Sequence, residues 1–234
     1  MFSKSWIPNA LTSMNLVFGM GSILSTFHGS LNTAAVCILF ALVADGLDGR
    51  SARALNVSSE IGKEMDSLCD LVSFGAAPAV LAYSLQLHEF GALGWAAAIF
   101  FAVCGMGRLA RFNVSTTVVH GYFMGLAIPA GGCLIATSTL LLNSMGFDMN
   151  QLSYGYPAMV IVAAYLMVST VHYPNFKGDG AEKMNLPAKL AAAAVFAAIL
   201  VWGMDAIGFA LLFAVFASYT VFGIINHVIN LAGR

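Results

Sequence analysis

An all-α, polytopic membrane helix bundle is the fold class this chain predicts, and three observations lead to it. Of its 234 residues, 59% are hydrophobic and 9% are charged, whereas a soluble domain carries about 25% charged residues. The apolar residues gather into eight stretches, each near the ~20 residues that a helix needs to cross a bilayer. Threading those stretches alternately through a membrane places the basic residues on one side. The runs are continuous rather than strictly alternating, which favours helices over a barrel.

The first stretch, 8–27, follows Met-Phe-Ser-Lys-Ser-Trp, which lacks the small-residue cleavage signature of a signal peptide. Its retention is therefore expected. The second, 31–49, is apolar until it enters an acidic segment, and the third, 66–87, opens on two aspartates. The fourth, 91–107, stops short of Arg108 and Arg111. The fifth, 122–145, contains Pro129-Ala-Gly-Gly, which predicts a kink or a broken turn. The sixth, 155–173, completes a core of six spans over residues 1–173. A polar loop, 174–187, separates that core from two further spans, 187–203 and 206–230, within a C-terminal segment 188–234. These last spans carry almost no ionisable groups, and Asp205 and His227 fall at their ends. Gly19-Met-Gly21 and Gly105-Met-Gly107 allow close helix contacts, and one of them is a candidate for a subunit interface. Cys37, Cys69, Cys104 and Cys133 form no C-x-x-C pair and read as small buried hydrophobes.

With Lys4 inside, eight spans place Arg50, Arg53, Lys63, Arg108, Arg111, Lys177, Lys183, Lys189 and Arg234 inside as well, which is all ten basic residues. The positive-inside rule then puts both termini and the acidic segment in the cytoplasm.

That segment holds six of the eleven acidic residues: Asp45, Asp48, Glu60, Glu64, Asp66 and Asp70. A carboxylate at the centre of a bilayer helix costs about 2.5–3.5 kcal/mol on insertion scales, so the four aspartates need cations, water or both. Asp45, Asp48, Gly49 and Ala52 share one helical face at i, i+3, i+4 and i+7, and Gly62, Asp66 and Asp70 share another at i+4 steps. Two antiparallel helix ends with two acids each outline a four-carboxylate metal site. Oxygen ligands suit magnesium or manganese, with calcium a further candidate. Two such ions a few Å apart are a device for displacement at phosphorus. Arg53 lies one or two turns beyond the acids, where it can pair with a phosphate. Gly49, Ala52 and Gly62 leave room for a nucleotide or diphosphate against the backbone. No Walker A loop and no G-x-G-x-x-G occur, so a soluble nucleotide fold is excluded.

The run Asp45-x2-Asp48-Gly49-x2-Ala52-Arg53-x8-Gly62-x3-Asp66-x3-Asp70 resembles, without a departure, the signature of the CDP-alcohol phosphotransferases. Four further segments resemble the phosphatidylserine synthases of that family. They are Ile7-Pro8-Asn9-Ala10-Leu11-Thr12, Asp66 to Pro78, Arg108-Leu-Ala-Arg111-Phe-Asn113, and Gly121 to Pro129. The resemblance implies a six-helix catalytic core, a homodimer and two divalent ions. It implies Asp45, Asp48, Asp66 and Asp70 as ligands, with Asp66 bridging and Asp70 also the general base. It implies that Gly49, Arg53, Ser59 and Gly62, with Pro8, Asn9, Ala10 and Leu11, contact a CDP-lipid. The reaction implied is CDP-diacylglycerol plus L-serine giving phosphatidylserine and CMP. Arg108 and Arg111 share a face at i, i+3 and are candidates for the serine carboxylate or a lipid phosphate, with Ser73 and Asn113 as further acceptor-side candidates.

Two other functions stay open at this level. One is another transferase of the family with a glycerophosphate or inositol-phosphate acceptor, which would want a denser basic pocket. The other is a cation transporter, since acids in membranes mark ion paths; transporters place such sites near the midplane, whereas these acids cluster at one boundary.

Overall fold

The computed structural model describes residues 6–57, 59–114, 122–147, 154–174 and 185–232. Among them the chain forms eight helices: α1 (Trp6–Phe27), α2 (Leu31–Leu55), α3 (Glu60–Leu85), α4 (Ala92–Val114), α5 (Ile128–Ser144), α6 (Gly155–Val168), α7 (Leu186–Trp202) and α8 (Ile207–Ala232). Five helical stretches are long and apolar enough to cross a membrane, and α5, α6 and α7 are shorter apolar helices. The chain is a multi-pass membrane protein. Its surface carries large exposed apolar side chains such as Val17, Leu24, Phe40, Val43 and Ile99, as a lipid-facing girdle requires.

The burial pattern of α1 follows from that solvent. Its buried residues are Pro8, Thr12, Asn15, Gly19, Ser22 and Thr26, a helical stripe of polar and small side chains. Lipid tails are as apolar as leucine, so packing and interhelical hydrogen bonds, rather than hydrophobicity, decide which face turns inward.

Successive helices alternate in direction. The N-terminal ends of α1, α3, α5 and α7 therefore meet the C-terminal ends of α2, α4, α6 and α8. Arg50, Arg53, Lys63, Arg108, Arg111 and Lys189 all lie near those ends. Lys4, His120, Gly121, Lys177, Lys183 and Arg234 lie outside the described residues.

Helix boundaries shift from expectation for local reasons. α2 runs on through the acidic motif to Leu55, where Asn56 adopts a left-handed conformation (φ 53°, ψ 42°) and donates its N–H to the Ala52 and Arg53 carbonyls. α3 begins at Glu60, ahead of the expected start, because the Ser59 hydroxyl accepts from the Gly62 N–H at 3.0 Å. Pro129 produces neither a kink nor a broken turn. It occupies the first turn of α5, where a missing N–H breaks no helical bond.

Residues 122–124, expected to be helical, instead form β1 (Tyr122–Met124), antiparallel to β2 (His172–Pro174) with Phe123 opposite Tyr173. The ribbon closes through Gly125, at φ +79°, whose N–H reaches the Val171 carbonyl at 2.8 Å. α8 docks on this ribbon: the Tyr173 and Tyr219 rings lie 5.2 Å apart and those of His172 and His227 5.6 Å. Asn185, ahead of α7, donates to Asn226 and Asn230 of α8 at 3.1 and 2.9 Å.

In the middle of α3, Leu71–Ala76 forms a wide π-helical turn, after which the Ala77 N–H donates to the Val72 carbonyl, five residues back. Glycines from the surrounding helices let it sit deep. A Cβ at Gly19 of α1 would lie 2.8 Å from Ser73 Cα, and one at Gly132 of α5 would lie 2.9 Å from the Phe74 carbonyl oxygen. A Cβ at Gly105 of α4 would come within 2.7 Å of Ile128. Both glycine pairs noted in the sequence thus serve contacts inside the chain. The four cysteines are free thiols, three of them buried.

Candidate active site

The last turns of α2 carry Asp45 and Asp48, and the first turns of α3 carry Asp66 and Asp70. The antiparallel pairing brings one carboxylate oxygen each of Asp45, Asp48 and Asp66 within 4.8 Å of one another. Three like charges so close repel strongly unless a cation lies among them. Asp66 Oδ1 is buried and has no hydrogen-bond partner among the described residues, which fits an oxygen reserved for a metal ion. Carboxylate oxygens at this spacing suit a hard divalent cation.

α1 forms the back wall. Thr12 Oγ1 donates to Asp48 Oδ2 at 2.8 Å, and Asn15 Nδ2 donates to Asp70 Oδ1 at 3.0 Å. Asp48 and Asp70 are 5% and 7% exposed. Asp70 stands outside the close trio, one helical turn beyond Asp66, and interacts electrostatically with Asp45 and Asp66.

In front of the acids opens a cavity of about 260 Å³. Pro8, Asn9, Gly49, Arg53, Ser59 and Gly62 line it together with Asp48 and Asp66; Ala10 and Leu11 do not. A Cβ at Gly49 would lie 3.5 Å from Arg53 Nη1, so the glycine leaves the guanidinium its place at the cavity. A Cβ at Gly62 would lie 3.1 Å from Ser59 Oγ, crowding the hydroxyl that caps α3, and would touch Asn9 Oδ1 at 3.6 Å. Ser59 both caps α3 and lines the cavity.

Three of the four expected acceptor-side residues are engaged elsewhere. Arg111 donates through Nη1 to the Val168 and Ser169 carbonyls and through Nη2 to those of Met124 and Met167, at 2.9–3.2 Å. Its fork holds the end of α6 and the β1 turn. Ser73 is fully buried in the wide turn and donates to the Asn15 carbonyl at 2.9 Å. Asn113 Nδ2 donates to Ser67 Oγ at 2.9 Å, which ties α4 to α3. Arg108 differs. It stacks over Phe112 at 5.4 Å and interacts electrostatically with Asp70 and Asp45.

Sequence reasoning missed Thr12 and Asn15 as site residues, and missed Lys63 at the cavity wall. A signal was present: Thr12 and Asn15 lie at i, i+3 on the polar and small-residue stripe of α1, at the end of the span nearest the acids.

The sequence model of the CDP-alcohol phosphatidyltransferase family matches residues 5–171, which hold all four aspartates and the cavity. The chain belongs to the CDP-alcohol phosphatidyltransferase family. It is similar to the CDP-diacylglycerol–serine O-phosphatidyltransferase of Helicobacter pylori, 38% identical over 171 residues that cover 73% of this chain and 72% of the relative. The Bacillus subtilis protein of the same name is 35% identical over 182 residues, 77% of this chain and 97% of the relative. An archaetidylserine synthase of Methanothermobacter thermautotrophicus is 37% identical over 179 residues, 75% of this chain and 72% of the relative. The family is metal-dependent, in keeping with the aspartate trio. α7 and α8 lie beyond the matched residues.

Proposed function

We propose that the chain transfers the phosphatidyl group of CDP-diacylglycerol to L-serine, giving phosphatidylserine and CMP. The observation that carries this reading is the convergence of Asp45, Asp48 and Asp66 beside a cavity that also presents Arg53. The relatives support the acceptor: their names differ in the lipid but agree on serine.

Asp45, Asp48, Asp66 and Asp70 would hold two divalent cations, magnesium or manganese, which when bound supply charge neutralisation for the diphosphate and for the departing CMP. Arg53 pairs with a donor phosphate, while Gly49, Gly62, Ser59, Asn9 and Pro8 shape the wall against which the CDP portion lies. Arg108 holds the serine carboxylate. Asp70 accepts the serine hydroxyl proton as that oxygen bonds to the lipid-side phosphorus and the bond to CMP breaks. Because Asp70 is also a ligand, proton removal and attack are concerted. The acids face the cytoplasm with both termini, a reading supported by the described basic residues, which gather at the acids' end of the bundle. Residues 1–173 form the catalytic core, 188–234 add two helices, and the working unit is a homodimer.

The test is CMP release by purified protein given CDP-diacylglycerol with L-serine, glycerol 3-phosphate or inositol phosphate in separate reactions. Release with serine alone is expected. Release with either phosphorylated acceptor and none with serine would overturn the acceptor assignment while leaving the family chemistry intact.

A further inference from the structure

We propose that Asn15 is a positioning residue for Asp70, held in place by a clasp between α1 and the wide turn of α3. The inference rests on the reading of Asp70 given above and deepens it. Asn15 is fully buried in the span of α1, where an apolar residue would pack without leaving polar atoms behind. Its Nδ2 donates to Asp70 Oδ1 at 3.0 Å, while its own Oδ1 is buried with no hydrogen-bond partner among the described residues. A polar side chain serving helix association alone would satisfy both ends of its amide. Here one end is left unpaired, and the amide is oriented by the carboxylate.

The second half of the clasp runs the other way. Ser73, three residues after Asp70, donates its hydroxyl to the Asn15 carbonyl at 2.9 Å. The wide turn Leu71–Ala76 re-aims the helix after Asp70 and puts Ser73 against α1. Gly19, one turn beyond Asn15, lets the two backbones approach, since a Cβ there would lie 2.8 Å from Ser73 Cα. Two opposed hydrogen bonds therefore fix the carboxylate relative to α1. They engage Asp70 Oδ1 with the Asn15 amide and so set the plane of the carboxylate that would hold a cation and accept the proton. Groups that orient a ligand carboxylate in this way change metal affinity or activity by about 10–100-fold when removed.

The experiment compares wild type, Asn15→Leu and Ser73→Ala in detergent-purified full-length protein. Three quantities are read: kcat and KM in CMP release, Mn²⁺ affinity by electron paramagnetic resonance, and the melting temperature. For Asn15→Leu the expected result is a fall in kcat of about 10–100-fold, with KM for CDP-diacylglycerol within about twofold and Mn²⁺ affinity weakened about tenfold. Ser73→Ala, which keeps the amide donor and slackens the clasp, is expected to lose less. Unchanged kcat and Mn²⁺ affinity in Asn15→Leu overturn the proposal. So does a lowered melting temperature in which the surviving folded fraction turns over and binds Mn²⁺ as wild type does. If leucine prevents folding, Asn15→Ala gives the same reading. A wild type that binds Mn²⁺ but releases no CMP with serine defeats the proposed reaction instead, and the Mn²⁺ comparison still decides the role of Asn15.

Discussion

Replacing Arg111 by leucine separates a structural arginine from a substrate-binding one. The guanidinium donates to four carbonyls, Met124, Met167, Val168 and Ser169, at 2.9–3.2 Å. Carbonyls in the last turn of a helix have no intrahelical partner, and here α6 ends against β1 and β2, so one cation completes the cap of α6 and joins it to the ribbon. Hydrogen bonds to a charged group contribute about 1.5–3 kcal/mol each. Two of the four bonds are part-buried and two exposed. Counting the part-buried pair fully and neglecting the exposed pair as screened by solvent gives a loss of about 3–6 kcal/mol. For a chain of this size that lowers the melting temperature by about 6–24 °C. The assay is thermal unfolding of detergent-purified Arg111→Leu beside wild type, followed by serine titration of CMP release well below the new midpoint. A large drop in melting temperature with an unchanged KM for serine is expected. An unchanged melting temperature with a raised KM for serine would refute the reasoning and return Arg111 to the acceptor pocket.

Three other substitutions test the site directly. Arg108→Ala is expected to raise KM for serine about tenfold or more, the loss of one charge-assisted contact; serine dependence equal to wild type would remove Arg108 from that role. Asp70→Asn should keep CDP-lipid binding, measured with radiolabelled donor, while CMP release falls by about 10²-fold or more; full activity would dismiss Asp70 as the base. Gly49→Val pushes side-chain carbons toward Arg53 Nη1, which lies only 3.5 Å from the first of them. It is expected to raise KM for CDP-diacylglycerol several-fold with little change in melting temperature, and an unaltered donor titration would contradict the assigned wall of the cavity.

The acids were legible in the sequence because helical spacing is rigid. Once 45–52 and 62–70 are helical, i+3 and i+4 steps leave their side chains no other common face, and antiparallel succession makes the two faces meet. Of the lining residues, Gly49, Arg53 and Gly62 stand in a signature with fixed gaps, while Pro8, Asn9 and Ser59 followed from the wider family resemblance. The function of Arg111 was not legible, because its four acceptors are backbone carbonyls 13 to 58 residues away, and carbonyls leave no mark in a sequence. The ribbon of Tyr122–Met124 with His172–Pro174 escaped for a related reason. Its apolar residues continue the hydropathy of the neighbouring spans, and only tertiary pairing distinguishes them. Pro129 misled because hydropathy placed it inside a span, when the helix starts one residue before it. Asn15 and Thr12 were visible as polar residues in α1, but which acid each would meet depends on the rotation of α1 against α2 and α3. That rotation is set by Gly19 against Ser73, a contact that only the assembled helices reveal. The sequence carried no sign of what the last two helices do; Tyr219 and Asn226 reach the ribbon and the segment ahead of α7.

The most direct test is activity and binding in protein stripped of divalent ions. If Asp45, Asp48 and Asp66 grip cations against the donor diphosphate, chelated protein releases no CMP, added Mg²⁺ or Mn²⁺ restores release, and Asp66→Asn fails to bind Mn²⁺. Undiminished CMP release in excess chelator, or Mn²⁺ binding by Asp66→Asn equal to wild type, contradicts the account.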